Sequence, residues 1–148
     1  MKLLRKLCVA ALLLPAPAAA DECALAMALD ARIVAVTGDP PLAECPVIGR
    51  NLPATGSMRS QAGAFDPVTR RIDLAPDLDL STPEGQGYLL HELVHHAQAR
   101  GARTRRGCVG LLEAEAYALQ ARFLRNAGQA EDARIIGALG ALLGQCPV

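Results

Sequence analysis

The chain has 148 residues and a formal net charge of zero, but three of its fifteen basic residues (Lys2, Arg5 and Lys6) fall in the first twenty, and all fifteen acidic residues lie beyond them. Without residues 1–20 there remain 128 residues with twelve basic against fifteen acidic side chains, a net charge of −3, which fits one ordinary domain and disfavours a nucleic-acid binder. The aromatics are Phe65, Tyr88, Tyr117 and Phe123, with no tryptophan, too few for a platform that stacks bases or sugars.

Residues 1–20, MKLLRKLCVAALLLPAPAAA, join a basic start, a short apolar run and small residues at Ala18 and Ala20, the pattern of a secretory signal peptide cleaved after Ala20. The apolar run is shorter than the ~20 residues that cross a bilayer, and no lipobox precedes Cys8. The expectation is a single domain over residues 21–148 of a bacterial protein that is periplasmic or secreted, with no stable membrane insertion. Cys23, Cys45, Cys108 and Cys146 remain, an even number that reads as two disulfides in an exported chain. No two lie within twenty residues of each other, so the close pairs of a thiolate metal site are missing.

Residues 21–36 carry Leu25, Leu29, Ile33 and Val36 on one helical stripe that ends at Gly38-Asp39-Pro40-Pro41. From Leu42 to Gly56 prolines and the absence of periodicity predict an irregular loop tied down through Cys45. GAFDPVTRRIDLAP (63–76) has two short extended runs about Asp66-Pro67-Val68-Thr69, which predicts a β-hairpin. Ser81-Thr82-Pro83-Glu84 then opens a helix with a hydroxyl cap, proline at the first helical position and a glutamate placed for a capping box; it should end at Gly101. The loop with Arg103, Arg105 and Arg106 reads as a solvated connection. A helix over Val109–Ala127 is expected to bury Leu112, Ala116, Leu119 and Phe123 before Gly128, and another from Ala130 to Leu143 presents Ile135, Leu139 and Leu142. The fold class is α+β, mainly α, with a small hairpin or sheet against a helical body.

Helices joined by a tight turn at Gly128 run antiparallel, so the residue about twenty before the turn returns to the residue about eighteen after it. At 1.5 Å per residue the axial mismatch is about 3 Å. That pairs Cys108 with Cys146 and leaves Cys23 for Cys45.

His91-Glu92-Leu93-Val94-His95 is an HExxH motif in the middle of the capped helix. Residues four apart share a helix face, so both imidazoles reach one zinc ion, one per chain. Glu92, about 100° around the helix, stays off the metal but beside a water that it deprotonates. His96 lies about 140° from His91 and reads as a surface group or a support behind the ligands. No histidine follows to complete a metzincin set, so the third ligand must be a carboxylate, and Glu113 or the alternative Glu115 supplies it from the next helix. On the helical wheel Glu113 groups with Tyr117 and Gln120, and Glu115 falls on the other flank with Arg122. Tyr88, three residues before His91, is either a hydrogen-bond donor to substrate or a core residue with its hydroxyl at the rim, and the second is preferred.

With Leu111-Leu112-Glu113-Ala114-Glu115-Ala116-Tyr117 after HExxH, residues 63–125 resemble the gluzincin class of zinc peptidases, and more narrowly small exported bacterial domains of unknown function with H-E-L-V-H-H and E-A-E-A-Y signatures. The resemblance implies a zincin-like fold with zinc between the two helices. It also implies hydrolysis of a peptide or protein substrate. The sequence departs from the class at Tyr117, which stands where gluzincins have Asp or Asn to orient the first histidine; a tyrosine hydroxyl can accept the same hydrogen bond. Two other readings are a non-catalytic exported zinc-binding or interaction module that retains the motif, and a disulfide-stapled domain without metal.

Overall fold

The computed structural model describes residues 18–54, 61–105 and 108–146; residues 1–17 of the expected signal peptide, and Arg106, lie outside the described residues. The chain runs through α1 (Ala18–Thr37), β1 (Ile48–Gly49), β2 (Gly63–Asp66), β3 (Arg71–Leu74), α2 (Pro83–Arg100), a 3-10 turn (Arg103–Arg105), α3 (Val109–Asn126) and α4 (Ala130–Leu143). It is mainly helical with one small sheet, an α+β arrangement. Among the described residues no helix is long and apolar enough to cross a membrane.

Gly38 and Gly128, both at positive φ, end α1 and α3 at the expected breaks. Thr82 caps α2 by accepting the Gly85 N–H at 3.1 Å, and Pro83 takes the first helical position. The capping box does not form. With Thr82 as the cap the box position falls on Gly85, against which the Asp79 carbonyl is packed, and Glu84 sits one place short of it.

The sheet order is β1-β3-β2, with β1 parallel and β2 antiparallel to β3. β1 lies inside the stretch expected to be irregular: Ile48 and Gly49 pair with Ile72 and Asp73, a ladder too short to show as alternation. The hairpin is closed by the Asp66 carboxylate, which accepts from the Val68 N–H at 2.8 Å and the Thr69 hydroxyl at 2.7 Å. Ile72 and Leu74 of β3 meet Leu89, Leu93 and Val94 of α2, and Leu29 and Ile33 of α1 complete this core. Val36, expected on the same stripe, is exposed. A buried Asp30–Arg100 ion pair ties α1 to α2, and Asp30 also accepts the Leu42 N–H at 2.8 Å.

Both expected disulfides are present, Cys23–Cys45 and Cys108–Cys146, with Cα separations of 5.5 and 5.7 Å. The second joins the N-cap of α3 to the chain just beyond α4. Closing its 38-residue loop should stabilise the fold by about 4 kcal/mol in the chain-entropy model, so Cys108→Ser/Cys146→Ser should lower the urea midpoint by a corresponding amount.

α4 turns the stripe of Ile135, Leu139 and Leu142 away from α3. It buries Ala133, Ile136 and Gly140, whereas Ile135, Leu139 and Leu142 are exposed. The cause is a close approach: a Cβ on Gly140 would stand 2.7 Å from the Tyr117 Cβ. Small residues let α4 seat on α3, which turns the larger ones outward.

Candidate metal centre

α2 and α3 carry the functional residues on facing surfaces. His91 and His95, one turn apart on α2, bring their Nε2 atoms to 3.2 Å from each other. Glu113 reaches across from α3, with Oε2 3.5 Å from His91 Nε2 and Oε1 3.4 Å from His95 Nε2. The ligand atoms of these three residues all lie within 4.8 Å of one another, close enough to hold a metal ion. Glu115, the other carboxylate considered, is directed elsewhere: its Oε2 accepts from Gln98 at 2.9 Å and from Arg103 at 2.6 Å.

Two glutamines hold the histidine rings. The Gln98 amide nitrogen donates to the Leu112 carbonyl and to Glu115, each at 2.9 Å, so its oxygen faces His95 Nδ1 at 2.9 Å and Nδ1 must carry the proton. Gln120 Oε1 lies 3.0 Å from His91 Nδ1 and holds that ring in place. The network thus leaves His95 Nε2 unprotonated, facing His91 Nε2 and the Glu113 carboxylate. Burial lowers the His95 pKa. The hydrogen bond from His91, with help from both nearby rings, outweighs burial and holds Glu113 below its ordinary value.

Gln98 and Gln120 did not emerge from the sequence as supports. Their signals were position alone: Gln98 follows His95 by three residues, and Gln120 follows Glu113 by seven, nearly two full turns. Gln120 makes the contact to His91 that the resemblance assigned to Tyr117. The Tyr117 ring instead packs edge-on against His91, with centroids 4.4 Å apart. The arginine loop is also more than a solvated connection. Ala102, at φ 55°, turns the chain so that Arg103 pairs with buried Asp39 as well as Glu115. Asp39, Arg103, Glu115 and Gln98 thereby form a chain of contacts that ends at His95. Removing an outer support of a metal ligand costs roughly 10–100-fold in affinity. Gln98→Ala and Gln120→Ala should each weaken zinc binding by that factor in a competitive chelator titration.

Glu92 is buried beside the cluster, and its carboxylate accepts the Phe65 backbone N–H. Burial pushes its pKa up to about 7, against the pull of His91. The register explains the contact from Phe65. The Ala75 N–H donates to the Ala62 carbonyl at 2.9 Å, so in the alternation of an antiparallel pair Gly63 and Phe65 turn their backbone groups to the open edge of the sheet. That edge lines a cavity of about 460 Å³ with the cluster, Tyr88 and Tyr117. Burial raises the pKa of both phenols, which keeps them protonated as donors. His96 is not brought to this cavity. It lies against Phe65, with ring centroids 5.2 Å apart, and its Nδ1 is 2.8 Å from Arg100.

A Cβ on Gly63 would fall 2.7 Å from Glu92 Cγ. Gly63→Ala should therefore displace the carboxylate, leaving zinc stoichiometry intact and lowering any Glu92-dependent hydrolysis at least tenfold, since small misplacements of a reacting group are costly.

No curated protein and no solved structure matches the chain. Residues 41–142, which span the sheet, both cluster-bearing helices and nearly all of α4, match a domain of unknown function, DUF6647, and the chain belongs to that family.

Proposed function

We propose that this chain is an exported zinc-dependent peptidase. The observation that carries the proposal is the convergence of two imidazole nitrogens from one helix and a carboxylate from the next, all within 4.8 Å of one another. Two histidines and one carboxylate form a donor set of the kind that binds zinc and keeps a coordination position open. His91, His95 and Glu113 would hold the ion, one per chain. When bound, zinc supplies a Lewis acid that polarises a carbonyl and acidifies water.

The remaining steps belong to the protein. Glu92, off the ligand face and held by the Phe65 N–H, takes a proton from the attacking water as the bond from water oxygen to carbonyl carbon forms. It returns that proton to the leaving nitrogen as the C–N bond breaks. The open edge offers the Gly63 backbone and the Phe65 carbonyl to an extended peptide, and the Tyr88 and Tyr117 hydroxyls are donors for the developing oxyanion. The two disulfides suit an oxidising compartment outside the cytoplasm.

A degenerate peptide-library digest with the zinc-loaded, oxidised protein tests the reading. Cleavage that depends on Glu92 is the expected result. Bound zinc without such cleavage would instead indicate a non-catalytic zinc-binding module.

A further inference from the structure

α4 exposes large aliphatic side chains and buries small ones. Ile135 is 50% exposed, Leu139 38%, Leu142 67% and Leu143 48%, while Ala133 and Gly140 face α3. Water-exposed aliphatics at this density on one helix mark a binding surface. Two of them show which surface it is, because Leu139 and Leu143 line the 460 Å³ cavity that holds the His/Glu cluster and the open edge of β2.

A second cavity, of about 220 Å³, flanks the cluster. It shares Phe65, His95 and Glu113 with the first, and its own walls include Leu112, Pro67 and Val109, the last 71% exposed. The cluster therefore lies between two spaces, each with an aliphatic stretch of wall, Leu139 and Leu143 in the first and Val109 and Leu112 in the second. Apart from the histidines, the charged side chains among the described lining residues of both are Glu92 and Glu113, which belong to the site itself. A charged substrate side chain set against either aliphatic stretch would lose hydration, and among the described lining residues no charged group outside the site itself stands there to replace it.

We infer that the cleft selects an extended peptide segment with uncharged aliphatic side chains on both sides of the scissile bond, read by Leu139 and Leu143 on one side and by Val109 and Leu112 on the other. The inference rests on the peptidase reading for its scissile bond, but the surface that it assigns can be tested without turnover.

The test uses zinc-loaded, oxidised protein and two readouts. In a peptide-library digest, sites flanked by aliphatic residues should dominate. Leu139→Ser/Leu143→Ser should lower kcat/KM for them tenfold or more, the scale of losing apolar contacts in a specificity pocket. Val36→Ser, on the exposed side of α1, should change nothing. Zinc content and melting temperature, measured on every variant, confirm that the fold and the site persist. In the second readout a fluorescein-labelled leucine-rich decapeptide is titrated into the Glu92→Gln protein, with Kd expected to rise tenfold or more on adding Leu139→Ser/Leu143→Ser.

Preference for acidic or basic flanking residues, or a profile and Kd unmoved by the double substitution, would overturn the inference and leave Glu92-dependent hydrolysis standing. Bound zinc with no hydrolysis would defeat the peptidase reading, and the decapeptide titration would then decide the aliphatic surface alone. Sedimentation supplies one more contrary outcome: a dimer at micromolar concentration that Leu139→Ser/Leu143→Ser dissociates would show that the α4 face is covered by a second copy of the chain.

Discussion

Replacing Glu92 by glutamine should leave one zinc per chain and lower kcat/KM by 10²-fold or more, the scale of losing a general base. The two effects separate because Glu92 shares a helix turn with the ligands but not their face. Glutamine preserves the shape of the side chain, and its carbonyl oxygen can still accept the Phe65 N–H that holds the carboxylate. It also removes an acid that burial disfavours in its charged form, so no loss of stability is expected. Peptide cleavage and metal content measured on the same sample check this. Equal rates in variant and wild type would place the hydrolysis outside this site.

The second large effect concerns the third ligand. Glu113→Ala should weaken zinc binding beyond the ~10–100-fold expected for an outer support, as should His91→Ala and His95→Ala, because each removes one of three converging donors. Glu115→Ala should fall within the 10–100-fold range, since Glu115 acts on His95 through Gln98. Chelator competition across the four variants gives the order directly. Weaker binding in Glu115→Ala than in Glu113→Ala would reverse the assignment.

What could be read along the chain was local. The Thr82-Pro83 start and the breaks at Gly38, Gly101 and Gly128 bounded the helices, and the four-residue spacing of His91 and His95 placed two donors on one face. The Cys108–Cys146 pairing followed because two helices about a tight turn leave little freedom. What could not be read depends on how elements meet. Glu113 and Glu115 are two residues apart on one helix, and only its rotation against α2 gives one to the histidines and the other to Gln98. Arg103 finds Asp39 across 64 residues of sequence because of one positive φ at Ala102, where no glycine signals it. In α4 the sequence presents Ile135, Leu139 and Leu142 as one stripe without showing what it faces; it stays exposed because the space beside Tyr117 admits only Gly140.

Metal analysis of the oxidised protein after remetallation with zinc and removal of free ion tests the central claim most directly. The account predicts one zinc per chain, lost in His91→Ala. A wild-type protein that retains no zinc would contradict it.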